Sequence, residues 1–361
     1  MVHRVGIIGG SIDAKWGKES HLPAALASPN MKITAVSTRS MESATRSAEA
    51  LGALHAFDNA DALAACPDVD LVIASVRSNY HIQSVQAALD ARKPVWCEWP
   101  FGRGDAESLR VTETAERLNL PTIAGLQGRF APGVAYARQL IDEGYLGELR
   151  TAAMYLESHV WAYDLIAATY TLDERENANV LSIKGGHSLD MLTYLAGDVV
   201  SVAGTVSHLQ KSVFAKDLAR EVEMSSPDQF AAIGRLSSGA VFSTHITGAA
   251  PRGMPFSLHL VGDKGQLILT TDGMPEMAPL TLSGSRGSQP PQVLEIPAQY
   301  FPEDRSLVGP AIVMACAYRA LPDDLSNGAA PLPDFRHGLK IQALTAAIAE
   351  SSRDGIVKHL A

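Results

Sequence analysis

Cysteine is scarce in this chain. Three residues in 361 (Cys66, Cys97 and Cys316) lie far apart, with no C-x-x-C pair and no metal-ligand spacing. Each reads as a small buried hydrophobe, so neither disulfides nor a metal centre are expected. Basic charge is also short: 30 Lys and Arg against 39 Asp and Glu give a net charge of −9. That balance leaves no electrostatic footprint for nucleic acid or an anionic membrane surface. No apolar run approaches a membrane span. Met1-Val2-His3-Arg4 leads straight into a strand, without the apolar core and cleavage site of a signal peptide, so a cytoplasmic protein is expected.

What is present is an alternation of short apolar runs with helical patterns. Val5–Ile8, Ile33–Val36, Leu54–Ala56, Leu71–Ala74, Val95–Cys97 and Thr122–Ala124 read as strands, the clearest lacking polar interruption as buried parallel strands do. Between them Met41, Ala44, Ala48 and Leu51, and then Ile82, Val85 and Leu89, recur at helical spacing. A polar helix runs from about Asp105 to Leu118. The order predicts a doubly wound parallel α/β sheet with right-handed crossovers over residues 1–125.

From 126 to 361 the style changes. A helix over roughly Val134–Glu143 ends at Gly144, and from Leu149 the pattern alternates with period two. Ser237-Ser238-Gly239 and Asp263-Lys264-Gly265 read as hairpin turns, and Ser283–Gln292 as an exposed loop. The second domain is therefore expected to be α/β, with a large, mostly antiparallel open sheet covered by helices on one face. Two late helices carry Leu307–Tyr318 and Phe335–Ala347, the last of them able to pack back on the first domain.

Gly9-Gly10-Ser11 after the first strand opens a dinucleotide loop, lengthened to Gly17 and lacking strict G-x-G-x-x-G. The second strand ends in Ser37-Thr38-Arg39-Ser40, with no acid to chelate ribose hydroxyls. Two hydroxyls and a guanidinium suit a 2′-phosphate, so NADP(H) is preferred and NAD(H) possible. A polar loop with a solvated arginine is the alternative.

Several segments together resemble the glucose–fructose oxidoreductase / inositol dehydrogenase / rhizopine catabolism family. They are Val5–Gly9, His21-Leu22-Pro23, Asp70–Ala74 with His81, Ala91–Pro100, Gly125–Phe130 with Pro132, Gly185–Asp190, Gly262–Gly265, and the closing Asp334–Leu339 and Ser351–Val357. Gly9–Gly17, Glu98-Trp99 and Leu126–Arg129 look most like the branch of the yeast galactose-pathway repressor, a dinucleotide-binding sensor, and its bacterial relatives. The resemblance implies a homodimer or homotetramer joined through the open sheet, and a small substrate of the sugar or polyol class held against the nicotinamide. It implies cofactor contacts from Gly9, Gly10, Ser11, Lys15, Trp16, Ser37, Thr38, Arg39, Val76, Arg77, His81, Glu98, Trp99 and Gln127.

The family's catalytic lysine and aspartate are missing: Trp99 stands in Glu98-Trp99-Pro100, and Ile183 four residues before His187. An indole cannot accept a proton. His187 is thus the expected acid/base, with Asp190 to orient it and Lys184 as a replacement base. A capping or core histidine and an exposed lysine are the plain alternatives. His159, Trp161 and Tyr163 alternate, and form either an aromatic wall for a sugar ring or a patch buried by neighbours. Arg129 either holds a substrate oxygen or caps the following helix, and Trp99 can stack on substrate. Three functions are compatible with this set: an NADP(H)-dependent oxidoreductase, a non-catalytic dinucleotide sensor, or an enzyme that oxidises transiently so that an adjacent bond can be eliminated.

Overall fold

The structure is a computed structural model and describes residues 2–161, 168–250, 255–322, 325 and 332–360. It divides into two compact units, Met1–Gln127 with Phe301–Lys340, and Gly128–Tyr300 with Ile341–Ala361.

The first unit is built on β1 (His3–Ile8), β2 (Met31–Ser37), β3 (His55–Phe57), β4 (Leu71–Ala74), β5 (Val95–Glu98) and β6 (Thr122–Gly125). All pairs are parallel, in the order β3-β2-β1-β4-β5-β6, which is the arrangement of two mononucleotide-binding halves meeting between β1 and β4. Val5, Ile7, Leu71, Val72 and Ile73 are wholly buried, as strands covered on both faces require. The helices are α1 (Lys15–Glu19), α2 (His21–Ala27), α3 (Met41–Leu51), α4 (Ala60–Ala65), α5 (His81–Asp90) and α6 (Asp105–Arg117). Local chemistry sets their ends: Ser40 Oγ accepts from Ser43 N to cap α3, and Asn59 does the same for α4.

The chain returns to this unit after Phe301. In α9 (Pro310–Arg319) Tyr318 is fully buried and meets the Trp96 ring edge-on at 5.5 Å. Phe335 opens α10 (Phe335–Asp354) and stacks on Phe101 at 4.5 Å, while Arg336 pairs with Glu116. Phe301–Lys340 thus groups with the first unit, and the start of α10 within it is the part of the last helix expected to be able to pack back there.

In the second unit α7 (Pro132–Asp142) starts with Pro at its first turn, two residues ahead of expectation. Nine strands form its sheet: β7 (Leu149–Glu157), β8 (Val199–Ser207), β11 (Gln229–Leu236), β12 (Val241–Thr247), β13 (Phe256–Gly262), β14 (Gly265–Thr271), β15 (Thr281–Arg286), β16 (Gln292–Val293) and β17 (Lys358–His359). Only β7 and β12 pair in parallel. A separate ribbon joins β9 (Ser212–Ala215) and β10 (Arg220–Glu223). Phe242, Thr244 and Ile246 of β12 point inward, whereas Val241, Ser243 and His245 face outward, the alternation of a half-covered sheet. The inner face is covered by α7, α8 (Gly186–Ala196) and the later turns of α10. Ser283–Arg286, expected as loop, is strand. Pairing of Ser283, Gly284 and Ser285 with Ile268, Leu267 and Gln266 overrides the turn-like composition.

Candidate functional site

The loop after β1 shows why glycine is needed there. Gly9 has φ +85°, and a Cβ would stand 2.2 Å from the Ser75 carbonyl oxygen. The amides of Gly9 and Gly10 both donate to Ser37 O, at 2.8 and 3.2 Å, so these glycines shape the loop while spending their own donors. Ile12, Asp13 and Ala14 amides are bonded to Ser47 Oγ, Ser11 Oγ and Ser11 O. Donors toward a phosphate thus come from Ser11 and from the first turn of α1, at Lys15, Trp16 and Gly17, whose amides have no intrahelical acceptor. The helix after the loop is broken: α1 has five residues and α2 restarts at His21.

At the end of β2, Ser37 is buried, Thr38 Oγ1 donates to Ser40 O at 3.0 Å, and Ser40 caps α3. Two of the hydroxyls expected to meet a 2′-phosphate are therefore used in the turn itself. Arg39 is exposed and makes no hydrogen bond or ion pair with a described residue. Arg77, also exposed, leads into the turn Ser78–Tyr80. His81 is buried with both ring nitrogens facing carbonyls, Nδ1 at 2.8 Å from Pro100 O and Nε2 at 3.0 Å from Val76 O. It staples the loops after β4 and β5 and has no nitrogen left for a cofactor. Burial pushes its pKa below 6.5, against the raising effects of the two carbonyls and of Glu98.

Glu98, at the C-terminal end of β5, is the hub of a buried polar cluster. Trp16 Nε1 donates to Oε2 at 2.7 Å and Trp96 Nε1 to Oε1 at 3.0 Å. His21 Nε2 lies 3.2 Å from Oε1, off-line for a hydrogen bond, and its Nδ1 is 2.5 Å from Tyr318 Oη. Burial, then Glu98, raises the Tyr318 pKa well above its usual range, so the phenol stays protonated. Trp96 was legible as a partner, because residues i and i+2 of a strand share a face; Tyr318 had no local signal. Trp99 is buried and tilted against Phe101 at 6.0 Å. Both amide atoms of the buried Gln127 lack a hydrogen bond.

In the second unit a π-helical stretch, Val180–Gly185, runs into α8, and Asn179 and Ser182 close a reciprocal cap at its start. Lys184 lies inside that stretch rather than ahead of a helix start, and is 7% exposed. His187 is half-buried on the first turn of α8, and its Nδ1 is buried without a hydrogen bond. Asp190 does not orient it. Its carboxylate takes the Arg129 guanidinium, Nε at 3.2 Å to Oδ2 and Nη2 to Oδ1, and Arg129 also lies over the Tyr194 ring at 4.8 Å. The buried Arg129–Asp190 pair spends the charge expected to meet a substrate oxygen.

Of the alternating aromatics, the described residues are His159 and Trp161. β7 ends at Glu157, and Trp161 turns into the core, where Nε1 donates to Thr171 Oγ1 at 2.9 Å and the ring fills the space beside Gly248. His159 is exposed beyond the strand end, and Tyr163 lies outside the described residues. Sequence reasoning also missed Glu276, a buried acid between β14 and β15. One group of three ligating side chains comes together among the described residues, His55, Cys66 and Asp68, but the Asp68 carboxylate is taken by His55 at 2.8 Å and Arg4 at 3.0 Å. Burial raises the thiol pKa of Cys97 well above its usual range and that of Cys316 to about 11, so neither is a thiolate at neutral pH.

Comparison with known proteins follows the division of the chain. Residues 3–125 match the family described as "Oxidoreductase family, NAD-binding Rossmann fold", and residues 132–271 match "Gal80p, C-terminal domain". A dehydrogenase, aclE, of Aspergillus oryzae is 27% identical over 73% of this chain and 75% of its own length. The galactose/lactose metabolism regulatory protein of Kluyveromyces lactis is 26% identical over 77% of this chain and 66% of its own. Among solved structures, levoglucosan dehydrogenase in complex with NADH has TM-score 0.85 and 19% identity, covering 100% of both chains. A super-repressor mutant of Gal80p from Saccharomyces cerevisiae has TM-score 0.86 and 19% identity, covering 99% of this chain and 98% of its own. These matches bear out the resemblance to the glucose–fructose oxidoreductase / inositol dehydrogenase / rhizopine catabolism family over the first unit's sequence and to the galactose-pathway repressor over residues 132–271.

Proposed function

We propose that this chain is an NADP(H)-dependent oxidoreductase acting on a sugar, polyol or related hydroxyl compound, with His187 as its acid/base. The observation that carries this reading is the state of His187. A buried imidazole nitrogen without a partner is kept where a ligand or reacting group will supply one, because leaving it unmade costs free energy. NADP(H) is preferred because the β2 turn lacks an acid and leaves Arg39 with an uncommitted guanidinium. Bound NADP(H) would supply the hydride chemistry; Ser11 and the first turn of α1 would receive its phosphates, and Arg39 the 2′-phosphate. His187 would take the proton from a hydroxyl during oxidation and return it to a carbonyl oxygen during reduction. Lys184 is the second proton-transfer group of this reading. The outer face of the nine-stranded sheet, exposing Tyr155, Ile233 and Val241, is the surface for self-association into a dimer or tetramer.

A sensor without turnover is the second reading, favoured by Trp99 and Ile183 in place of the family's lysine and aspartate, and by the regulatory relatives. His187→Asn separates the two. The oxidoreductase reading predicts turnover of at least one polyol or sugar, falling about 100- to 10,000-fold in the variant at unchanged dinucleotide affinity. Dinucleotide binding without turnover across the panel would establish the sensor instead.

A further inference from the structure

Within the first unit a buried line of polar groups runs from α9 to the phosphate loop. Tyr318 Oη lies 2.5 Å from His21 Nδ1, and His21 Nε2 stands 3.2 Å from Glu98 Oε1. Glu98 Oε2 in turn accepts from Trp16 Nε1 at 2.7 Å, in the first turn of α1. His21 and Tyr318 are wholly buried, and His21 Nε2 has no hydrogen bond. Gly125 leaves Oε1 its space, because a Cβ there would stand 2.6 Å from that oxygen.

The donors and acceptors along this line fit one order. The phenol stays protonated, so it donates to Nδ1. A neutral imidazole that accepts at Nδ1 carries its proton on Nε2, the nitrogen that faces Glu98. An N–H dipole turned on a carboxylate is attracted to it even at an angle too poor for a hydrogen bond. The other tautomer would set a lone pair against the same oxygen, in a water-free site where repulsion is weakly screened. The indoles of Trp16 and Trp96 can only donate, and both use Glu98 as their acceptor. A lone pair at Oε1 would push the carboxylate out of the orientation that serves both.

Trp16 is fixed at two points. Its indole is on Glu98, and its carbonyl oxygen takes Ser20 N at 3.0 Å and Ser20 Oγ at 2.6 Å. Both anchors hold the turn whose Lys15, Trp16 and Gly17 amides remain for a phosphate. At the far end of the line α9 is seated by Asn30 Nδ2, which donates to Tyr318 O at 2.8 Å.

We propose that Tyr318 and His21 are positioning residues for dinucleotide binding. The phenol selects the imidazole tautomer that turns an N–H on Glu98, and Glu98 so oriented holds Trp16 and the phosphate-binding turn of α1. The inference rests on dinucleotide binding by the first unit and is independent of turnover.

Two measurements test it. Nitrogen NMR of the full-length wild type, with the His21 ring assigned by through-bond correlation, should find the ring proton on Nε2, and it needs no variant. Titration of NADPH fluorescence then closes a double-mutant cycle of Tyr318→Phe and Trp16→Phe. Tyr318→Phe alone should weaken NADPH binding about 3- to 10-fold, as the loss of one buried hydrogen bond does. In the Trp16→Phe background the same change should cost less than about twofold, because the link it acts through is gone. A tyrosine that only supports the fold would give equal losses in both backgrounds. A ring proton on Nδ1, an unchanged dissociation constant in Tyr318→Phe, or equal losses in both backgrounds would each overturn the proposal while leaving dinucleotide binding in place. A wild type that binds neither NADPH nor NADH would remove both.

Discussion

At the scale of single residues, the sequence was most informative where backbone geometry or one functional group decides the outcome. Gly9 could be placed because only glycine tolerates its φ and the approach of Ser75. Arg39 stands where an acid would chelate the ribose hydroxyls, which is the sequence signal behind its proposed role. Asp190 was misread: helix spacing puts it on the face of His187, but it is spent on Arg129, 61 residues away in sequence. Glu276 had no sequence signal, since one acid in a loop is ordinary until its burial is known. Arg39→Ala should weaken NADPH binding about 10- to 100-fold and leave NADH binding unchanged, as measured by fluorescence titration. Equal losses for both dinucleotides would take the 2′-phosphate role away from Arg39.

At the scale of elements, parallel strands were legible because burial on both faces writes uninterrupted apolar runs. Elements defined by pairing were less so. Ser283–Ser285 becomes strand through its neighbour β14, and the alternation His159, Trp161, Tyr163 continues past the end of β7. Apolar period alone does not mark where a ladder stops. The phosphate loop shows an element held by one side chain: the short α1 is tied to β5 by the Trp16–Glu98 bond of 2.7 Å. Trp16→Phe removes that donor and keeps most of the ring's apolar surface. Dinucleotide affinity should fall about tenfold or more, with circular dichroism unchanged. An unaltered dissociation constant would show that α1 holds its place without the bond.

At the scale of the whole molecule, the fold class and the order of the two sheets followed from the change in periodicity near Phe130. The packing of the last helix's start on the first unit was anticipated, but the return of α9 was not, because Tyr318 against Trp96 is a contact across some 220 residues. No helix among the described residues is long and apolar enough to cross a membrane. Folding stability should carry the mark of His81. Its pKa is depressed in the native state, so below 6.5 the unfolded chain binds more protons and stability falls as pH drops through that value. Urea midpoints between pH 7.5 and 5.5 should therefore decline, and decline less steeply in His81→Gln; parallel declines would assign the effect to other groups.

The proposal that bound dinucleotide exchanges hydride with a hydroxyl compound is tested most directly by isotope transfer. The protein is mixed with NADPH deuterated at its transferable position and with ketoses and inososes, and each product is weighed by mass spectrometry. The oxidoreductase account predicts a reduced product one mass unit heavier than with unlabelled cofactor, abolished in His187→Asn. Tight NADPH binding with no deuterium in any product, in either variant, would contradict it.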